Sequence, residues 1–413
     1  MVEKAKSVLI VGFNTRPLAY SLNEAGYDVY AVDFFGDIDL YPCVKDSIIV
    51  IKKLGTNYST MKYNYAEFLA QFAKEMLHEH PKIDFIIIGS GLDDAFEERE
   101  SILSDLVRNG HEVVSLNNDI QTIKSARNLD SIHQILKPYG YRVPKTMNVK
   151  AYQKVKSEFK YPFILKKRTG SGGINVDKIN NEFELKLKLQ QDPKIEYSNW
   201  VFQEYIEGLP VSCTTISNGE ECEVISINRQ IIGLDFVNAP KEFIYCGNVV
   251  PSNILRKEEE LIKEISILLA LELKLKGING FDFVLRNNYP YFMEINPRIP
   301  GSIRVSENAM NLNLLELHIL SFDKSNWKGI KNTISSADFK NFTTKLIFFA
   351  SKNISKKDIQ KINELKYVHD KSGSEMDLHA GDPVCTILYG SKDFSSSYFG
   401  ALKVVDEIKR IIE

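Results

Sequence analysis

Apolar residues in this chain come in short blocks of two kinds. One kind is nearly unbroken. Residues 7–13 (SVLIVGF) read as a parallel strand covered on both faces. A turn, Gly12-Phe13-Asn14-Thr15-Arg16-Pro17, leads into a helix over 18–25 stopped by Gly26, then a strand over 28–34 with Asp33 at its end. The alternation continues with a strand at 48–51, a helix at 64–80, a strand at 84–89, a helix at 94–109 and a strand at 112–116. Strands separated by helices predict a small parallel sheet ending near residue 118. Residues 119–138 read as one helical stretch, and 141–146 as an extended lead into the next unit.

The other kind alternates. In residues 280–298 (GFDFVLRNNYPYFMEINPR), Phe281, Phe283 and Leu285 alternate with Asp282 and Val284, a turn follows at Asn287-Asn288-Tyr289-Pro290, and Tyr291 to Ile295 runs back. Side chains on a strand alternate faces, so Glu294 and Asn296 share one face, and a hairpin register can bring Asp282 to it. Two carboxylates and a carboxamide oxygen form a hard-oxygen site of the kind Mg²⁺ takes together with substrate phosphates. The bland reading of the same pattern is a solvated acidic strand face.

Upstream, an apolar strand delivers Lys166 into Lys167-Arg168-Thr169-Gly170-Ser171-Gly172-Gly173, and a second strand departs. Exposed N–H groups of such a loop can cradle phosphate oxygens, with Lys166 adding a point charge. Taken alone it is equally a flexible turn; its spacing from the carboxylate hairpin favours the phosphate reading. Between them, Gln203-Glu204-Tyr205-Ile206-Glu207-Gly208 ends an apolar strand with backbone groups able to meet an adenine edge. The N-terminal strand–turn–helix–strand with Asp33 suggests a dinucleotide site. Only Gly12 of the G-x-G-x-x-G set is present, however, and this weighs against NAD.

Bulk properties narrow the class. With 413 residues the chain exceeds one core and is expected to form about three domains. A formal charge of −2 with interspersed signs gives no footprint for nucleic acid. The five cysteines have no C-x-x-C spacing, no apolar run is long enough for a membrane span, and the apolar segment at the start is too short for a signal. The expectation is a cytoplasmic protein without nucleic-acid or membrane partners.

The glycine hairpin, the Q-E-Y-I-E-G run and the D…E-x-N-P-R hairpin, in this order, resemble the ATP-grasp superfamily of carboxylate–amine ligases, on its carboxylase-like branch. The resemblance spans essentially the whole chain. It implies an α/β and α+β architecture: an N-terminal Rossmann-like pre-ATP-grasp domain at 1–118, an ATP-grasp domain at 119–330 with a lid subdomain at about 145–205, and a small β-rich C-terminal domain at 331–413. It implies that Lys166 contacts the α- and β-phosphates, that Ser171, Gly172 and Gly173 close over them, and that Glu204, Tyr205, Ile206 and Glu207 hold adenine and ribose. Asp282, Glu294 and Asn296 would bind two Mg²⁺ ions, with Mn²⁺ an alternative, and Arg298 would be the catalytic residue that steadies the acyl phosphate. The cofactor would be ATP. The substrates would be a small carboxylate and a small amine, joined through an acyl phosphate with release of ADP and phosphate. A homodimer is the habit of such relatives.

Two departures matter. The nucleotide-touching lysine common before the lid falls at Leu129, so Lys124 or Arg127 is expected to substitute. After Arg298 come Ile299-Pro300-Gly301-Ser302, without the acid that would handle bicarbonate; this favours a ligase over a biotin-carboxylase-like carboxylase. A nucleotide-binding protein without catalysis is the other alternative. The segment 245–251 reads as a loop that can face the acceptor substrate.

Overall fold

The computed structural model describes residues 6–57, 61, 65–108, 110, 112–149, 160–170, 172–191, 199–373 and 378–413. Five parallel strands come first: β1 (Ser7–Gly12), β2 (Asp28–Asp33), β3 (Asp46–Ile49), β4 (Phe85–Ile88) and β5 (Val114–Ser115), in the order β3-β2-β1-β4-β5. Every residue of β1 is buried, as its unbroken apolar run predicts. Strand order reverses between β1 and β4, which opens a crevice at their carboxyl ends. Across it, Phe13 N donates to Ser90 O at 2.8 Å. Helices Arg16–Glu24, Tyr65–Glu79 and Phe96–Arg108 lie near their expected bounds, the first with Pro17 in its opening turn. The strand expected at 48–51 is β3 followed by the short helix Val50–Leu54.

The second sheet is small and antiparallel: β6 (Thr146–Asn148), β7 (Phe163–Lys167), β8 (Val176–Ile179) and β9 (Trp200–Glu204), ordered β6-β9-β7-β8. It has its own core around Phe163, Leu165, Trp200 and Phe202.

The third sheet has eight strands: β10 (Leu209–Asn218), β11 (Cys222–Ile232), β12 (Tyr245–Val250), β13 (Lys276–Arg286), β14 (Tyr289–Asn296), β15 (Phe342–Phe349), β16 (Val368–His369) and β17 (Pro383–Ser391). Its order is β14-β13-β10-β11-β12-β15-β17-β16. Of residues 245–251, expected as a loop, Tyr245–Val250 form an interior strand, β12, paired with β11 and β15. Gly247 and the following proline look like breakers, but a strand glycine also marks close backbone approach. Here a Cβ on Gly247 would lie 1.9 Å from Lys345 O.

The β12–β15 pairing carries one sheet across residue 331. Val237, Cys246 and Leu346 share a core with Val405 and Ile408 of the last helix, Phe394–Ile412. In the other direction, helices Leu314–Leu320 and Trp327–Ser336 pack with the N-terminal sheet in one large core. The chain thus folds back from both ends onto the eight-stranded sheet, and a cleft of about 2060 Å³ opens among the three sheets. Among the described residues no helix is long and apolar enough to cross a membrane.

Candidate active site

The floor of the cleft is a polar stripe running across the eight-stranded sheet. Register pairs Glu294 with Asp282 and Asp282 with Ser212, then Ser212 with Asn228. Two residues along β11, Gln230 pairs with Asn248 and Asn248 with Lys345. Alternation puts these side chains on one face, while Phe281, Phe283, Phe292 and Ile295 fill the core on the other.

The hairpin that carries the carboxylates has a two-residue turn, Asn287-Asn288, with φ of 51° and 59°. Two consecutive left-handed residues fit the strand twist, and asparagine tolerates them. Arg286 faces Tyr289 and Phe283 faces Phe292; then the register shifts, and Asp282 faces Glu294. Without this bulge Asp282 would face Met293. Gln230 Nε2 donates to Asp282 Oδ1 at 2.9 Å, and Asn296 Nδ2 donates to Asp282 Oδ2 at 2.9 Å. Burial, then the neighbouring Glu294, push Asp282 up to about 7, although the two amides and Arg298 pull it back. Two facing carboxylates with a carboxamide beside them are the hard-oxygen donor set a divalent ion takes, and Lys166, Arg127 and Arg298 are near enough to act on their charge.

Lys166, on β7, lines the same cleft. Burial lowers its pKa, while Glu294 and Asp282 favour its charged form. The glycine hairpin overhangs the floor. Gly172 and Gly173 both have positive φ, and a Cβ on Gly173 would fall 1.8 Å from Phe243 O, so the backbones meet there because no side chain intervenes. Tyr245 N donates to Gly172 O at 3.4 Å and Lys241 Nζ to Ile174 O at 3.0 Å. Ser171 lies outside the described residues. Glu204, Tyr205 and Ile206 line the cleft at the end of β9; the Tyr205 ring lies 4.3 Å from Lys178 Nζ. Glu207 is exposed and is not among the lining residues.

The expected single helix over 119–138 is two, Ile120–Ala126 and Leu129–Leu136. Asn128 breaks it by capping the second: its Oδ1 accepts from Asp130 N at 3.1 Å and Ser131 N at 3.3 Å. The break aims Arg127 into the cleft. Arg127 clamps Asp94 through Nε and NH2 (2.9 and 2.8 Å), and NH2 also donates to Gly170 O at 2.7 Å. Asp94 Oδ2 accepts from Gly170 N at 2.7 Å, which closes a latch between the N-terminal sheet and the glycine hairpin. Lys124, the other candidate, instead has its Nζ 5.3 Å from the Phe96 ring centroid. Arg298 lines the cleft with Nε donating to Asp93 Oδ1. Burial would raise Asp93, but Arg298, Arg127 and Arg99 outweigh it and hold it below the usual range. Gln230, Asp93, Asp94 and Lys345 escaped sequence reasoning. The buried turn after β4 was the one available hint, because ligands of parallel sheets gather at the carboxyl ends of strands.

Residues 130–302 match the family described as the ATP-grasp domain. An uncharacterized protein of Methanocaldococcus jannaschii is 27% identical over 392 residues, covering 92% of this chain and 87% of its own. The arginine-specific large chain of carbamoyl phosphate synthase of Bacillus subtilis is 24% identical over 244 residues; the match covers 58% of this chain and only 22% of that much longer one. Among solved structures, the L-amino acid ligase of Bacillus licheniformis shares the fold with a TM-score of 0.68 and 14% identity, covering 98% of each chain. Residues 130–302 of the chain are thus similar to the ATP-grasp domain, and the whole chain shares its fold with a solved ligase structure of matching length.

Proposed function

We propose that this protein is an ATP-dependent carboxylate–amine ligase. The observation that carries the reading is the bulged hairpin that sets Asp282 against Glu294, with Asn296 beside them, in a cleft shared with Lys166 and the glycine hairpin. Asp282, Glu294 and Asn296 would hold two Mg²⁺ ions, or Mn²⁺ in their place, and the bound metal supplies charge neutralisation at the phosphates. In this reading Lys166 faces the α- and β-phosphates, backbone N–H groups at Gly172 and Gly173 cover them, and the segment from Glu204 to Ile206 receives adenine. The substrate carboxylate oxygen attacks the γ-phosphorus; the bond to the β,γ-bridging oxygen breaks and ADP leaves. The amine nitrogen then attacks the acyl carbon, phosphate departs, and the nitrogen loses a proton. Arg298, its orientation held by Asp93, faces the acyl phosphate. Phosphoryl transfer is mainly positioning and charge neutralisation, which suits a cleft built from anchored charges.

The test is Glu294→Gln, scored by ADP release with mixtures of small acids and amines. The expected result is a fall of at least about a hundredfold, with a thermal midpoint within about 2 °C of the parent. Turnover at the parental rate in a folded variant would refute the assignment.

A further inference from the structure

We propose that the arm of the cleft walled by Phe13, Phe35 and Tyr65 holds the apolar body of the carboxylate substrate, an acid that carries an aromatic or branched aliphatic group. The inference deepens the ligase reading and rests on it. The groups assigned above to nucleotide and metal lie on the two antiparallel sheets: Lys166 on β7, Glu204 to Ile206 at the end of β9, and the carboxylates on β13 and β14. At about 2060 Å³ the cleft is about twice the size of a roomy small-molecule pocket, so it has space for more than a nucleotide. Its remaining wall is the carboxyl end of the parallel sheet.

Phe13 follows β1 directly, Phe35 lies two residues past β2, and Tyr65 opens the helix Tyr65–Glu79. All three are half-buried and line the cleft. The Phe13 ring meets Phe35 edge-on with 5.2 Å between centroids, and Tyr65 in the same way at 4.7 Å. Ile49, Ile51 and Ala66 line the cleft beside them. Gly36, at φ 72°, lets Ile49 seat against the turn that carries Phe35, since a Cβ there would fall 2.5 Å from Ile49 Cγ2. Where a dinucleotide-binding sheet turns glycines toward a phosphate, this one presents aromatic rings.

Polar side chains bound the arm: Asn14 and Asp37 on the same two turns, and the exposed Lys52. Burial favours the neutral form of Asp37. An apolar wall with polar groups beside it is the usual makeup of a small-molecule pocket, and an aromatic group gains edge-to-face contacts there. A charged body would lose its hydration against these rings.

The arm lies within reach of the chemistry. The Phe13 ring rests against Gly91, where a Cβ would fall 3.0 Å from Phe13 Cδ2. Gly91 N donates to Asp93 Oδ2 at 3.1 Å, and Asp93 Oδ1 accepts from Arg298 Nε. A single turn of chain thus separates the rings from the guanidinium assigned to the acyl phosphate. The acyl carbon bears the body of the carboxylate substrate, so that body, rather than the amine, extends from Arg298 into the arm.

The test supplies the full chain with Mg·ATP, hydroxylamine and one acid at a time: phenylalanine, phenylpropionate, leucine, alanine, propionate, glutamate or succinate. The hydroxylamine nitrogen attacks the acyl phosphate, phosphate leaves, and the hydroxamate is counted whatever the natural amine. An aromatic or branched acid is expected to exceed the small and charged ones in kcat/KM by at least about tenfold. Titration of the same acids into the chain saturated with Mg·ADP is expected to rank them in the same order. Ala66→Phe, which fills the arm, and Phe35→Ala, which strips its wall, are each expected to lower the preference for the large acid over alanine about tenfold. An unchanged preference in either folded variant overturns the inference, as does the best turnover with a small or charged acid, and both results leave the ligase reading standing. Neither ADP nor hydroxamate from any of the acids would overturn the ligase reading, and the inference with it.

Discussion

The turn after β2 and the hairpin of β13 and β14 each hold a buried aspartate, and they put it to opposite uses. Asp33 is saturated by its surroundings: Oδ2 accepts Thr15 N at 2.6 Å and Thr15 Oγ1 at 2.8 Å, and Oδ1 accepts Gly36 N at 2.6 Å. It ties the turn after β1 to the end of β2 and is absent from the cleft lining, so the acid that suggested a dinucleotide site is a structural clasp. Asp282 has only two side-chain amides and stands beside a second carboxylate, its cross-strand partner Glu294, on the floor of the open cleft. Burial pushes both upward, Asp33 to about 6 and Asp282 to about 7. A perturbed carboxylate therefore does not by itself mark a site. The difference lies in what fills its lone pairs: backbone donors in one region, exchangeable space in the other.

That contrast can be broken most sharply at Asp282. Asp282→Asn is expected to cut ADP release by about a thousandfold. Its thermal midpoint should hold or rise, because one of two facing charges is gone. A variant that retains turnover would erase the distinction. Asp33→Ala should do the reverse: three donors lose their acceptor in a buried turn, which costs about 3 kcal/mol of stability in a denaturant titration. An unchanged midpoint would show that Asp33 is not a clasp.

A third, pH-dependent contrast lies between these and His318. It is buried neutral, Nδ1 accepting from Ile278 N at 3.0 Å and Nε2 against Leu116 O at 3.1 Å. Burial lowers its pKa to about 4. The unfolded chain takes up the proton near 6.5, so stability falls as pH drops from about 6.5 toward 4. Between pH 7 and 5 this group should account for about 2 kcal/mol, and replacing it by Gln should flatten that part of the profile. An equally steep fall in the Gln variant would assign the slope to other groups. The smallest effect is expected at Gly173→Ala, where a Cβ meets Phe243 O and the hairpin is pushed off its seat. The KM for ATP should rise about tenfold with global stability little changed. An unaltered KM would remove the hairpin from nucleotide binding.

Much of the cleft was legible in local pattern. Alternation around Asp282, the lysine delivered by β7 and the glycines after it all pointed to elements that formed near their expected places. The register did not follow. A two-residue turn counts Asp282 opposite Met293, and the bulge that corrects it is hinted at only by Phe292 and Ile295, both core residues although three positions apart. Lys124 and Arg127 were equivalent on a continuous helix, and the Asn128 cap separated them. β12 was missed because a glycine read as a breaker was the point where two backbones touch.

The amino-acid sequence by itself determined which segments form strands and helices, and which short runs carry acid, amide, lysine and glycine, because burial periodicity and turn chemistry act over a few residues. Only the tertiary structure decided which of those groups meet. Arg16 reaches Asp370 across 354 positions, and Arg298 reaches Asp93 across 205. The strand pairing and core packing that bring them together depend on surfaces far apart in the chain, and no local pattern records them.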